Sequence, residues 1–254
     1  MPGLPKERLI KSRAFEAIGV DYLGPSLYKI ENGKAKFWIV LFTCFTTRAV
    51  HLEIALELSA LEFLHCLRRF IASRGCPKKI LSDNANQFKV VSELIGAKLV
   101  GKWVEKQTND EKRLNNFLIN KGIEWCFIPS LSPWAGGVYE RLVKLVKDSF
   151  KRTLGGVILN LEELRTFIKE VEFSINCRPI SFVSGEIDGP SCLRPVDFLL
   201  PNIEINENIN ESDGEEEFKI GKLSMGDQLR VRLKATQKAF EKFWTRWTRE
   251  YLLI

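Results

Sequence analysis

The chain has 254 residues, 45% of them hydrophobic, and a formal net charge of +6. That length can bury a sizeable core without metal or disulfide support, and that apolar fraction excludes a wholly disordered chain. Two histidines, and six cysteines with no CxxC pair, exclude a zinc module built on paired Cys and His.

Residues 1–14 are a polar lead-in with Pro2 and Pro5, not an apolar leader. No apolar run reaches the length of a membrane span. The cysteines are therefore expected to be reduced, intracellular and mostly in the core. Residues 15–22 (FEAIGVDY) predict a buried strand stopped by Gly24-Pro25. Residues 36–44 predict a second strand, with Asn32-Gly33 as the hairpin signal before it, and 49–54 alternate as a third. Ser59 is a good helix N-cap, and Glu62 three positions on completes a capping box. That helix should run to about Ser73, bury Phe63, Leu67, Phe70 and Ile71, and end at Gly75. Residues 79–82 (KILS) follow as a short strand, parallel to its neighbour because a helix precedes it.

Further on, 111–120 is expected to be helical and 123–128 (IEWCFI) a last strand. A loop rich in Ser, Pro and Gly at 129–137 leads into a long helix over 138–153. Another helix over 161–176 is stopped by Arg178-Pro179. This order predicts a mixed α/β three-layer domain over 15–201. Residues 202–217 hold seven acids and no base, which marks a linker or surface loop and leaves the rest of the chain more basic than the total implies. A basic balance suits a polyanionic partner, and equally a solvated surface. In 218–254, Phe240, Phe243, Trp244, Trp247 and Tyr251 fall at helical spacing as an apolar face rimmed by Lys and Arg, left unclosed where the chain stops at Ile254.

Three acids stand out. Asp21 lies in an otherwise apolar strand, which is costly unless the acid is paired or metal-bound. Asp83 follows a short strand, where Asp-Asn is also ordinary turn chemistry. Glu140 opens a helix, where acids are also favoured by the helix dipole. Strand-end acids from two neighbouring strands and one helical acid can converge on one edge of a sheet. Three carboxylates there repel unless a cation neutralises them. Oxygen ligands without His or Cys suit Mg²⁺ or Mn²⁺, and two such ions about 4 Å apart serve phosphoryl chemistry. Lys144, Lys147 and Lys151 follow Glu140 at +4, +7 and +11 on one helical face. That stripe suits a phosphate backbone, or is an exposed face supported by a Glu140–Lys144 pair. Arg68, Arg69 and Arg74 carry the same ambiguity.

The segments GVDYLGP, LFTCFTTRAVHLEI, LRRFIASRGCPKKILSDNANQF and WCFIPSLSPWAGGVYERLVKLVKDSF, with SINCRPI, RPVDFLL and FWTRWTREYL further on, resemble the integrase core of BEL/Pao-type LTR retrotransposons. They are more distantly similar to retroviral integrases. The resemblance covers nearly the whole chain. It implies an RNase H-like fold and a D,D,E polynucleotidyl transferase using two Mg²⁺ or Mn²⁺ ions. By position, Asp21, Asp83 and Glu140 match its metal-binding acids. Lys144 and Lys147 match positions that face the element's DNA end, with Lys151 and Asn84 as further nucleic-acid contacts.

The implied reaction trims a 3′ end and joins it to target DNA, in the nucleus and as a homo-oligomer. A zinc domain upstream and a longer C-terminal DNA-binding portion are also implied. Other readings of the same residues are a catalytically silent nucleic-acid-binding remnant or host-recruited module, and another RNase H-like nuclease. One departure bears on the site. Where the family carries Gly after Asp-Asn, this chain has Ala85, which would strain the loop if that position needs a positive φ.

Overall fold

A computed structural model describes residues 12–95, 98–99, 122–128, 143–144, 146–148, 150, 158–180, 192–200, 234, 237–243 and 245. Strands β1 (Ala17–Ile30), β2 (Gly33–Cys44) and β3 (Val50–Ala55) form an antiparallel meander. Helix α1 (Ala60–Arg74) leads to β4 (Lys79–Ser82), which pairs parallel with β1. Helix α2 (Asn86–Leu94), β5 (Lys98–Leu99) and β6 (Glu124–Phe127) follow. Helical residues within 143–150, helix α3 (Leu161–Asn176) and a 3₁₀ turn (Pro195–Phe198) complete the described elements. The six-stranded sheet has the order β3-β2-β1-β4-β6-β5, with β2 alone antiparallel to its neighbours. Helices cover both faces, so the fold is the expected three-layer, RNase H-like α/β arrangement. Among the described residues, no helix is long and apolar enough to cross a membrane.

Alternation along β1 splits the core. Ile18, Val20 and Tyr22 face α1 and α2, where Phe42 stacks on Phe70 with ring centroids 4.4 Å apart. Ala17 and Leu23 face the opposite layer, made of α3, Val143, Val146 and Phe150. Ala239 and Phe243 of the tail are buried in that same layer, and Phe240 packs against it half-buried. The rest of the tail's apolar face, Trp244, Trp247 and Tyr251, lies outside the described side chains, as do the expected helix at 111–120 and the stretch 202–217.

Several expectations change in detail. Gly24-Pro25 does not end β1. A register shift between Leu23 and Ser26 absorbs the two residues, and the strand runs on to Ile30. Gly24 has φ +123, and a Cβ there would meet Phe37 O and Trp38 Cδ1 at 3.1 Å. The hairpin turn is Glu31-Asn32, one residue earlier than the Asn-Gly signal, because Gly33 already pairs with Ile30.

Ser59 caps α1 by accepting from the Glu62 N–H at 3.2 Å. Glu62 does not return the bond to Ser59; its carboxylate takes the Leu56 N–H at 3.4 Å instead. Ile71 is half-buried where Cys66 takes the core position. Helix α2 and strand β5 were not anticipated, since α2 opens without a side-chain cap at Ala85. Helix α3 has the predicted bounds and is held by a reciprocal Asn160–Glu163 capping box. None of the six cysteines is in a disulfide, but only Cys44 and Cys66 are buried; the other four are half-buried, so most of them lie outside the core.

Candidate metal and nucleic-acid site

Parallel pairing puts Val20 beside Ser82. Asp21 is the next residue within β1 and Asp83 the first residue after β4, so their backbones are neighbours at one rim of the sheet, with parallel strands about 4.8 Å apart. The residues before them are firmly held. Val20 and Ser82 are both buried, and the Ser82 hydroxyl accepts from the indole N–H of buried Trp125 at 3.0 Å. On the far side, Tyr22 stacks on Phe88 at 5.4 Å, which turns Asp21 toward the opposite layer.

The loop after β4 is equally constrained. Asp83 Oδ1 accepts from the Ala85 N–H at 3.1 Å, an Asx turn that leads into α2. The turn reading of Asp83 is thus satisfied by one oxygen. Asp83 is exposed, and Oδ2 has no partner among the described residues. Asn84 donates its side-chain amide to Ile128 O at 2.8 Å, while the Ile128 N–H donates to Ser82 O at 2.8 Å. Asn84 therefore brackets the ends of β4 and β6 beside the acids. Ala85 sits at φ −63, ψ 141, so the replacement of glycine costs no backbone strain.

From the helical segment, Lys147 reaches Asp21 Oδ2 at 2.6 Å. Lys144, one turn earlier, is exposed. Glu140 and Lys151 lie outside the described residues. Among the described residues, no three His, Cys, Asp or Glu side chains gather as a metal-binding group. What is present is a pair of carboxylates with oxygen donors only, a set that fits a hard divalent cation. Beside it, a cavity of about 460 Å³ lies between the β1 irregularity and the helical segment, lined by Leu23, Gly24, Pro25, Phe37, Lys147 and Phe150 among others. The Asp21–Lys147 contact spans 126 positions and has no local signal in the sequence. The Gly24-Pro25 pair was legible only as punctuation.

The Arg cluster resolves differently. Arg69 Nε donates to Glu53 Oε2 at 2.6 Å, and Arg74 Nη2 to Glu172 Oε1 at 2.6 Å. His51 completes this group, with Nε2 at 3.0 Å from Glu53 and Nδ1 at 3.3 Å from Glu172. Burial alone would raise Glu172. Its hydrogen bond to His51, the positive field of His51 and Lys169, and the Leu52 N–H outweigh burial and hold it at about 2. Glu53 is likewise lowered against burial, by hydrogen bonds from His51 and Arg69.

The described residues thus define an α/β domain of RNase H-like topology with paired aspartates at one sheet rim. No protein-family model matches the chain, and no curated protein does. Among solved structures, a chain of the simian T-cell lymphotropic virus intasome in complex with PP2A regulatory subunit B56 gamma is similar, with 14% identity and a TM-score of 0.46 over 79% of this chain. This chain covers 61% of that one, less than two thirds of its length. The HTLV-2 integrase catalytic core domain in complex with magnesium is similar in its trimeric form at 15% identity and its dimeric form at 16%, each with a TM-score of 0.41 over 68% of this chain and 93% of that one. These are likenesses of shape; the fold follows from strand order and direction.

Proposed function

We propose that this chain is the catalytic core of a D,D,E DNA integrase of the BEL/Pao retrotransposon type, acting on element ends and target DNA. The observation that supports the reading is the β1–β4 register, which makes Asp21 and Asp83 backbone neighbours, with Lys147 2.6 Å from Asp21 Oδ2. Glu140 is the proposed third acid, on sequence order alone. The proposed division is a core over 15–201, an acidic linker over 202–217 and a basic segment over 218–254. The reading also assigns a homo-oligomer working in the nucleus, where target DNA lies.

Asp21 and Asp83 would hold Mg²⁺ or Mn²⁺, which supplies Lewis-acid activation of the attacking oxygen and charge stabilisation of the leaving one. The protein's own part is positional. The Ser82–Trp125 bond and the Asn84–Ile128 tether fix the backbone on either side of Asp83. Lys144, Lys147 and Lys151 offer cations to the phosphate backbone, an attraction that weakens as salt rises. Attack at phosphorus is an in-line displacement by water, or by a 3′-OH, and needs no covalent enzyme intermediate.

The test is a strand-transfer or disintegration assay on a branched DNA with the full chain. Mg²⁺- or Mn²⁺-dependent joining that Asp83→Asn abolishes is the expected result. Turnover unaffected by Asp83→Asn would refute the reading. DNA binding that persists in chelator without any turnover would favour the silent binding module instead, and cleavage without joining another nuclease.

A further inference from the structure

Lys147 has a role beyond contacting DNA, and this role rests on Asp21 and Asp83 being the metal-binding pair. Two carboxylates on neighbouring strand ends repel each other as they approach. Among the described residues, the Lys147 ammonium is set against Asp21, 2.6 Å from its Oδ2. The other oxygen, Asp21 Oδ1, is 2.7 Å from the adjacent Tyr22 N–H. The oxygen held by Lys147 is therefore the one best placed to ligate a cation. An ammonium and a divalent ion at the same oxygen repel each other and compete for its negative charge, so metal binding weakens the Lys147 contact.

The pair is also built to open. The Lys147 side chain is 36% exposed and that of Asp21 29%, so breaking the contact strands neither charge in a dry interior. Lys147 stands at the wall of the 460 Å³ cavity beside Leu23, Gly24 and Pro25, so its flexible stem has room to turn. Helical packing holds its backbone in place, since Val146 and Phe150 are buried in the core.

We propose that Lys147 is a displaceable counter-ion of this site. It neutralises Asp21 until a divalent cation binds, and is then released toward a substrate phosphate at the same rim. Metal loading and phosphate binding are thereby coupled with positive sign. By linkage, a polyanion that draws Lys147 away raises metal affinity by the factor that metal raises polyanion affinity. Lys147 acts here through Asp21 and is a positioning residue.

The probe is Mn²⁺ alone, titrated calorimetrically into the full chain, with trace acetylation of lysines read by mass spectrometry. Mn²⁺ should raise the acetylation rate of Lys147 about two- to fivefold, the scale of losing one half-exposed ion pair. Lys34, exposed beside the β1–β2 turn, serves as the unchanged control. Lys147→Gln should bind Mn²⁺ more tightly by a similar factor, and Lys147→Arg should not. The labelling arm uses the unaltered chain, so a poorly folded variant does not decide the outcome. Mn²⁺ binding that depends on Asp21 and Asp83 while Lys147 labelling stays flat overturns the counter-ion role and leaves the metal site standing. Mn²⁺ binding indifferent to Asp21→Asn and Asp83→Asn overturns the site itself, and the counter-ion with it.

Discussion

Two clusters of charged residues sit on the same sheet and are treated oppositely. At the free edge, side chains take most of the outward backbone groups of β3. The Asn176 amide accepts from the Val50 N–H at 2.8 Å and donates to Val50 O at 2.9 Å. Glu172 accepts from the Leu52 N–H at 2.9 Å, Lys169 donates to Leu52 O at 2.8 Å, and Arg69 donates to Ile54 O at 3.1 Å. Helices α1 and α3 thus stand in for a missing strand and block edge-to-edge pairing. At another charged locus, Asp83 keeps an oxygen without a described partner and, among the described residues, Asp21 is held by one lysine. A carboxylate whose every lone pair is engaged is structural. One left under-coordinated beside a like charge is available for a ligand.

The comparison is broken most directly by exchanging one carboxylate in each cluster. Asp21→Asn should lower metal-dependent joining about a hundredfold or more, the scale of losing one electrostatic contact at the reacting centre. It should hardly move the urea midpoint, because a half-exposed ion pair contributes roughly 0–1 kcal/mol. Glu172→Ala should do the reverse to the fold. It strands the Leu52 N–H and the charges of Arg74 and Lys169, and should cost about 3 kcal/mol, the lower end for breaking a buried pair. A larger stability loss at Asp21 than at Glu172 would invert the assignment of the two clusters.

Acid titration sharpens the same contrast. Glu172 has its folded value at about 2, below the ordinary 4.5, so its contribution is fully present above about pH 4.5. It is lost as pH falls toward 2, on the order of 3 kcal/mol in all. Glu53 shifts in the same direction and adds to the loss. Urea midpoints measured between pH 6 and pH 2.5 should fall in the native chain and fall less in a Glu172→Gln variant. Parallel curves would show that the edge network does not drive acid unfolding.

Most of the fold was legible because it is written in local patterns. The alternation of 49–54, the Ser59 and Gly75 ends of α1, the four residues of β4 and the bounds of α3 all follow short-range rules. The site was legible only in part. Asp21 and Asp83 were found because an acid in or after an apolar strand is conspicuous. Their neighbouring positions follow from the pairing of β1 with β4, in which Val20 meets Ser82 from far along the chain. Helix α2 has no side-chain cap to signal it: Ala85 stands at its N-cap position, and Asp83 only turns the chain ahead of it. The edge network was missed for a related reason: Glu172 and Asn176 lie on α3 while their partners lie on β3, so their meeting is a tertiary event.

The smallest expected effect concerns the arginines of α1, where sequence alone left a basic patch and a structural role undecided. Arg69 and Arg74 are committed to Glu53 and Glu172. Arg68 is exposed and has no partner among the described residues. Helix α1 packs on the Val20 and Tyr22 face of the sheet, opposite the face that carries Asp21. A duplex laid along the Lys144–Lys147 side would not touch it. Arg68→Ala should therefore change neither the urea midpoint nor the slope of log affinity against log salt, whereas Lys147→Ala should reduce that slope by about one. A slope lowered equally by Arg68→Ala would mean that nucleic acid wraps both faces of the sheet, and the division between a structural and an open cluster would then have to be redrawn around α1.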